Sequence, residues 1–234
     1  AALFSTGTSY GLVVDVGRAE ARCAIHFDGQ YVPQSFQAVP CGYENVVQLF
    51  QSYTTIPQLK NSFSDALDIV STISAKRILA STSPLTASDE EGVSSPVLAA
   101  CALPSSGEIL QVNVNDVQDA WSESLDVNSD TSIPYMILTS LLQCPIDLRK
   151  IIAQNLLLVG GGGCILPGLQ ERILSELQHG VRTIGTFRRL HALEMKFCKV
   201  PFSPDLIPWI GLSIMATLDL ADEKWIYRET WLDE

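Results

Sequence analysis

Two short segments of the chain combine glycine with residues that could bind a phosphate. The segment DVGRAE (15–20) follows a β-branched run, and GGGGC (160–164) follows the apolar run NLLLV. Backbone N–H groups in glycine-rich turns can point at an anion, because glycine accepts positive φ angles and adds no side-chain bulk. Asp15, at the end of its predicted strand, could hold a hydrated Mg²⁺. A predicted helix from Pro167 would add the positive end of its dipole.

Neither segment matches a specific nucleotide-binding motif. Both lack the spacing of a Walker A loop and of G-x-G-x-x-G, so two tight turns kept for close packing are an equally good interpretation. The chain also lacks a G-x-S-x-G elbow and an H-E-x-x-H zinc motif. The acidic group 89–91 lies in the loop-like stretch SPLTASDEEGVSS (83–95) and is interpreted as solvated. The sequence therefore predicts no catalytic residue.

Composition narrows the classes of function. The 234 residues are 47% hydrophobic and 18% charged, which is typical of a folded globular chain. The net charge of −11 would repel a polyanion, so we expect no nucleic-acid partner. Six cysteines without a C-x-x-C pair and three isolated histidines predict buried free thiols and no metal site.

We expect neither a membrane segment nor a signal peptide in this sequence. Its longest apolar stretch, LIPWIGLSIMATLDL (206–220), is too short for a membrane span. The start AALFSTGTSY lacks the basic region of a signal peptide. It also lacks an initiator Met, so we expect the sequence to be part of a longer protein.

Strands and helices must position the two glycine segments. YGLVVDVG (10–17), EARCAIHFDGQYV (20–32) and YVPQSFQAVP (31–40) predict an antiparallel meander, with Asp28-Gly29 as a hairpin turn. Further strands are predicted at PVLAACALP (96–104), 107–114, NLLLVGG (155–161) and 192–200, and Asn115 and Asp116 are candidate caps of a short helix. Helices are predicted at 44–53, 58–73, 132–144, from Pro145, at 167–180, 207–218 and 222–231.

The helix predicted at 207–218 is apolar nearly all round, so it is expected to be buried on most sides. Gly211, Ser213 and Ala216 would allow close backbone approach. The order of elements predicts an α/β fold with a smaller α+β insertion around residues 41–122.

Three segments, taken together and in order, resemble the actin family. YGLVVDVGRAEARCAIHFDGQYVPQSFQAVPCGYENV (10–46) resembles the hairpin that opens the second lobe of actin, including its second phosphate loop. NLLLVGGGGCILPGLQERILSEL (155–177) is similar to the strand, Gly-Gly turn and Pro-Gly helix near the adenine. PWIGLSIMATL (208–218) is similar to the Trp-Ile-Gly-Gly-Ser helix near the end of actin. The match covers the chain, but only the second half of an actin-length protein.

The resemblance implies an actin-like, ribonuclease H-like lobe with a mixed sheet and flanking helices. Residues 1–40 and 123–205 would form its large subdomain, and residues 41–122 its small outer subdomain. Residues 206–234 would be C-terminal helices that pack toward a first lobe or a partner. Without that cover, the C-terminal region would expose a large apolar patch.

The resemblance also implies a remnant of a nucleotide site, with ATP or ADP and Mg²⁺ as a structural ligand. The positions that keep its shape are Asp15, Gly17, Gly161, Gly162 and Gly163, with Ile165 and Leu166 beside the base. Four positions depart from the family. Arg18 replaces an acidic phosphate-loop residue but could itself pair with a phosphate. Val70 and Ser71 align with a Lys-Glu pair, and Asp205 with a lysine.

The segment SLLQCPIDLRKIIAQNLLLVGG (140–161) resembles the actin-related subunit at the pointed end of dynactin. It implies a non-catalytic cytoplasmic and cytoskeletal protein whose partners are actin-like filament subunits and other pointed-end dynactin subunits. Such a subunit supports dynein-based transport. The alternatives are another actin-related protein, chromatin-remodelling or cytoskeletal, and an ATPase or sugar kinase of the wider superfamily.

Overall fold

The computed structural model describes residues 1–76, 98–103, 105–161, 164, 166 and 168–218. Three predictions lie outside the described residues: the loop at 83–95, the helix at 222–231, and the positions of Gly162, Gly163 and Ile165. As expected, none of the six cysteines forms a disulfide, and five of them are buried.

The main sheet is mixed and is built around the first two strands. Its members are β1 (Gly11–Val16), β2 (Ala21–Phe27), β3 (Gln30–Tyr31), β4 (Gln37–Val39) and β7 (Leu156–Val159). Strand β1 pairs antiparallel with β2 and parallel with β7, and both β3 and β4 pair antiparallel with β2. The predicted meander is confirmed, with Asp28 and Gly29 at positive φ in the hairpin turn between β2 and β3.

A separate hairpin and eight described helices complete the fold. The predicted strand pair is confirmed as β5 (Leu98–Ala102) and β6 (Ile109–Asn113), which are antiparallel. The described helices are α1 (Tyr43–Tyr53), α2 (Pro57–Asn61), α3 (Phe63–Lys76), α4 (Val114–Leu125), α5 (Ile133–Gln143), α6 (Ile146–Ala153), α7 (Leu169–Thr183) and α8 (Ile207–Ala216), with 3₁₀ turns at Ala2–Thr6, Pro33–Ser35 and Gly185–Leu190.

The predicted strand at 192–200 is wrong. The segment touches β7 only through an isolated parallel bridge between Phe197 and Leu156. Cys198 donates to the Leu156 carbonyl at 2.7 Å, and the Leu156 N–H donates to the Lys196 carbonyl at 2.9 Å. This short run of bonds holds the segment beside β7 without extending the ladder.

Three helix boundaries differ from those predicted from the sequence. The helix predicted at 58–73 is two helices, because Ser62 adopts an extended conformation between α2 and α3. The cap of α4 is Asn113 and not Asn115 or Asp116: its side chain accepts from the Asn115 N–H at 3.1 Å and donates to Asp116 at 2.7 Å. Pro145 occupies the N-cap of α6 and not its first turn.

A continuous hydrophobic core joins the sheet to the helices on its face. Leu12, Val14 and Ile25 from β1 and β2 are completely buried. The same cluster includes Phe50 of α1 and Trp121 of α4. Because residues from 1–40, 41–122 and 123–205 share this cluster, burial alone does not separate the subdomains, and their boundaries stay a prediction.

Helix α8 packs on a second, smaller cluster, in which Ile207 joins Leu3, Leu157 and Val159. Its buried residues are Ile207 and Gly211, and a Cβ at Gly211 would lie 2.3 Å from the Ala1 carbonyl oxygen. Close backbone approach at Gly211 is therefore confirmed. Burial on most sides is wrong for this chain, since Trp209, Leu212 and Ile214 are exposed.

A buried serine fastens the meander to α5. Strand β3 pairs with residues 26–27 of β2, and β4 pairs with residues 21–23. The Ile25 N–H lies between these two paired regions and has no partner from either strand. The Ser35 hydroxyl accepts from that N–H at 2.9 Å and donates to the Val32 carbonyl at 2.6 Å. The Ser140 hydroxyl of α5 donates to the Ser35 carbonyl at 2.7 Å. Because Ser35 and Ser140 are fully buried, water cannot replace these bonds.

We expect Ser35→Ala to lower the free energy of unfolding by about 1–3 kcal/mol, because the Ile25 N–H loses its acceptor in a site closed to water. Urea unfolding followed by tryptophan fluorescence measures the loss. Ser52→Ala is the control: it removes an exposed hydroxyl from α1 and should change stability by less than about 0.5 kcal/mol. Equal losses in the two variants would contradict the assigned role of Ser35.

Candidate functional site: two glycine turns at one sheet edge

The two glycine turns meet at the carboxyl ends of β1 and β7. These strands run parallel, with Asp15 opposite Val159, so the turns that follow them emerge at the same edge of the sheet. The approach is close: a Cβ built on Gly160 would lie 2.3 Å from the Val16 carbonyl oxygen. Cys164 closes the second turn, with its thiol 3.2 Å from the Val159 carbonyl.

Two neighbouring glycines in this turn have different roles. Gly160 has φ +132° and packs against the backbone of β1, so any side chain there would be both strained and obstructed. Gly161 has open space around its Cβ position and no left-handed φ. Gly160 therefore serves the packing of the two turns, while Gly161 faces open space at the sheet edge.

Asp15 lies at this edge with its side chain exposed. Partial desolvation by surrounding protein raises the pKa of Asp15, and the positive charge of Arg22, opposite on β2, partly offsets the rise. Arg22 is also held by Glu20, to which its Nε donates at 2.7 Å. The Asp15 carboxylate is thus exposed at the surface, with the Arg22 guanidinium as its neighbouring positive charge.

The first turn is closed by bonds within the protein. The Gly17 N–H donates to the Glu20 carbonyl at 3.0 Å. Its own carbonyl and that of Arg18 accept from the N–H groups of Tyr43 and Glu44, at 3.1 and 2.8 Å. These are the first N–H groups of α1, the donors that a helix N-terminus would offer to an anion. In this structure they are already bonded to the carbonyls of the turn.

Arg18 faces the same helix. Its Nε lies 3.6 Å from a carboxylate oxygen of Glu44, and its side chain is 74% exposed. An exposed pair at this distance contributes little to stability. The guanidinium that could pair with a phosphate is therefore beside a carboxylate in this structure, and a phosphate would have to compete with Glu44.

Two residues that sequence reasoning missed shape this turn. A Cβ at Gly42 would lie 2.3 Å from the Arg18 carbonyl oxygen, so only glycine lets α1 start so close to the turn. Glu44 supplies both the backbone donor and the charge that meet Arg18. The glycine directly before a helical pattern in CGYENV is the signal that could have located them.

The second turn is bordered by a small cavity. The Gly160 N–H donates to the Pro204 carbonyl at 3.3 Å. Pro204 also lines a cavity of about 290 Å³, near the lower limit for ligand pockets. Its other lining residues are Leu157, Leu158, Gln170, Cys198, Lys199, Val200, Phe202 and Ile207.

The positions that depart from the family lie in different surroundings. Val70 is completely buried in the core on α3, so it packs and does not face a ligand. Ser71, the next residue of α3, is exposed, and Asp205 is exposed just before α8. None of these three side chains carries a positive charge.

The described residues bring the two glycine turns together but leave few of their N–H groups free for a phosphate. Gly17, Gly160 and the start of α1 direct their N–H groups to protein carbonyls. Gly161 and Asp15 are open to a ligand. This part of the chain therefore does not fit nucleotide and Mg²⁺ as a complete site.

Other chemistry is not supported by the described residues. Burial raises the pKa of the Cys164 and Cys23 thiols to about 12, so neither is a thiolate nucleophile near neutral pH. No group of three or more His, Cys, Asp or Glu residues that could hold a metal ion occurs within the described ranges. Over the same ranges no helix has the length and apolar character needed to cross a bilayer.

A mixed sheet with flanking helices, and glycine turns at the shared ends of two parallel strands, is the architecture of an actin-like α/β domain. The sequence profile of the family described as Actin matches residues 105–234, more than half of the chain. The chain belongs to the actin family.

Individual relatives match shorter segments. Actin-related protein 4 of Kluyveromyces lactis is 31% identical over 96 residues, which is 41% of this chain and 17% of that protein. Actin-like protein 9 of Mus musculus is 32% identical over 44% of this chain and 22% of its own length. Actin-related protein 4 of Debaryomyces hansenii is 29% identical over 48% of this chain and 21% of its own. The chain thus matches less than a quarter of each of these relatives.

The two turn glycines allow a matched test. We expect Gly160→Ala to destabilise the chain by at least about 1–3 kcal/mol, because the new Cβ strains φ and meets the Val16 carbonyl. Gly161→Ala should leave stability within about 0.5 kcal/mol, because nothing lies near its Cβ. Urea unfolding of both variants measures the difference. Similar losses at the two positions would show that the turns do not pack as described.

Proposed function

We propose that this chain is part of a non-catalytic actin-related subunit of dynactin. It caps the pointed end of the actin-like filament, docks other pointed-end proteins and so supports dynein-based transport along microtubules. Its setting is the cytoplasm and the cytoskeleton. Residues 1–40 and 123–205 act as the large subdomain of an actin-like lobe, residues 41–122 as its outer subdomain, and 206–234 as the part that packs toward a first lobe or a partner.

The exposed apolar face of α8 carries this proposal. Trp209 is 69% exposed, and Leu206 and Leu212 are each 50% exposed. Phe4, Ile214 and Leu218 add further exposed apolar surface nearby. A contiguous apolar surface of this kind marks a protein contact, because water is displaced when it is covered. A protein whose role is assembly needs such a contact.

The geometry of the nucleotide remnant supports a structural role over a catalytic one. Nucleotide with Mg²⁺ is a typical ligand of the actin family. In this chain the first N–H groups of α1 donate to the carbonyls of the first turn, and Arg18 lies beside Glu44. Hydrolysis needs preorganised donors directed at the phosphoryl oxygens. We infer that a nucleotide bound here would hold the fold together and would not be turned over.

The motif QCPIDLR (143–149) supports the choice of subunit. It resembles the corresponding segment of actin-related protein 10, the pointed-end subunit of dynactin. The motif builds the junction of α5 and α6: the Arg149 guanidinium donates to the Cys144 carbonyl at 2.9 Å and to the Leu142 carbonyl at 2.6 Å. These bonds satisfy carbonyls at the end of α5, which would otherwise lack partners.

A second candidate is another actin-related protein, of chromatin-remodelling or cytoskeletal type. Its support is the similarity to actin-related protein 4 of two yeasts, at 31% and 29% identity. The two candidates differ in their partners. Co-purification with the short actin-like filament and pointed-end subunits of dynactin supports the first, and co-purification with remodeller subunits supports the second.

The apolar face gives a direct test. We expect Trp209→Ser with Leu212→Ser to abolish co-purification of dynactin subunits with the tagged full-length protein, because the variant removes the most exposed apolar side chains of α8. Ile109→Ser with Ile146→Ser is the control, because both residues are large, apolar and exposed on other elements. Undiminished recovery of dynactin by the α8 variant would contradict this surface as the contact. A monodisperse monomer of the 234-residue chain alone would also count against it.

We further expect no steady ATP turnover by the purified chain, because the described phosphate-facing donors are engaged within the protein. Phosphate release from Mg-ATP is measured beside conventional actin as a positive reference. Sustained release that Asp15→Ala abolishes would overturn the non-catalytic assignment.

A further inference from the structure

A group of basic residues forms a distinct patch on this acidic chain. The residues are His179, Arg182, Arg188, Arg189 and His191, and we call them the basic patch. No aspartate or glutamate occurs between residues 177 and 193, although the chain has a net charge of −11. The patch thus concentrates positive charge where the composition alone would place an excess of carboxylates.

The carboxylates that flank the patch in sequence are engaged elsewhere. Glu176 is buried and pairs with Arg172 at 2.8 Å. Glu194 pairs with Lys196 at 2.7 Å. Among the residues that the structure describes, Arg182, Arg188 and Arg189 form no ion pair. Their charge is therefore not neutralised by the described part of the chain.

The patch is held on a rigid base. Phe187 and Leu190 of the 3₁₀ turn at 185–190 are buried in the core, and the Phe187 ring packs edge-on against Tyr135 of α5 at 5.1 Å. This anchoring turns Arg188 and Arg189 outward, and both are exposed. A preorganised surface loses less conformational entropy when it binds than a mobile one.

The basic residues surround a cavity. Arg182, Arg188 and His191 line a solvent-open pocket of about 440 Å³, with the buried Val181 as its apolar part. Arg182 also lies in the last turn of α7, where its charge is favourable to the helix dipole. That role accounts for Arg182 alone. It does not account for Arg188 and His191, which converge on the same pocket from the following turn.

We propose that this pocket docks an acidic segment of a partner protein. Guanidinium groups bind carboxylates through paired hydrogen bonds, and a peptide can present several carboxylates to the separate arginines. A nucleic acid or a membrane surface would extend beyond the patch onto the acidic remainder of the chain, where repulsion opposes it. A short acidic segment stays within the patch. This site lies outside the nucleotide remnant and does not depend on the proposed function.

The test uses a fluorescently labelled Glu-Ser repeat peptide and the purified chain, with binding followed by anisotropy. We expect saturable binding that weakens as salt rises, and no binding of the matching Gln-Ser peptide. Arg182→Gln with Arg188→Gln should weaken binding about tenfold or more, because two charge pairs are lost. The control Lys60→Gln with Lys150→Gln makes the same change in net charge at exposed sites on α2 and α6, and should leave binding unchanged.

Several outcomes would overturn the proposal. Equal weakening by the control variant would show a general charge effect. Tighter binding of single-stranded DNA or of anionic phosphatidylserine vesicles through the same arginines would assign the patch to another class of partner. Loss of self-association in the arginine variant, without peptide binding by the parent chain, would assign it to a second copy. Should the double variant unfold, Arg188→Gln alone tests the pocket, since Arg188 is exposed on the 3₁₀ turn.

Discussion

The parallel pairing of β1 with β7 is the constraint on which the rest of the site depends. The two strands are separated by most of the chain, yet their carboxyl ends meet so closely that Gly160 touches the Val16 carbonyl. A side chain at that position would force the turns apart. The two turns can therefore meet at this edge because Gly160 adopts a φ that other residues avoid and has no side chain to obstruct the contact.

The same edge brings the two turns close together yet leaves few hydrogen-bond donors for a ligand. The packing of the turns depends on where the strands end and on glycine. Chemistry depends on free donors and on charged side chains. Here α1 starts so close to the first turn, at Gly42, that the turn carbonyls take the N–H groups of the helix. Arg18 lies beside Glu44, so its charge too faces a partner within the protein.

Two surfaces remain open for contact, and they differ in physical character. The α8 face is apolar, so its association would be driven by removal of water from Trp209 and its neighbours. The basic patch is charged, so its contacts would depend on salt and on the sign of the partner's charge. They lie on different elements, α8 against the turn after α7. Separate surfaces of this kind suit a protein that joins several others.

Local sequence patterns were enough to predict most of the elements and the family resemblance. Local patterns predicted the meander, α5 and α7, because a hairpin turn and helical periodicity depend on neighbouring residues. Three features could not be predicted in this way: the exposure of α8, the absence of a strand at 192–200, and the partners of the N–H groups at the turns. These outcomes depend on contacts between residues far apart in the chain. Gly42 against Arg18 and Gly160 against Val16 are such contacts, and no local pattern contains them.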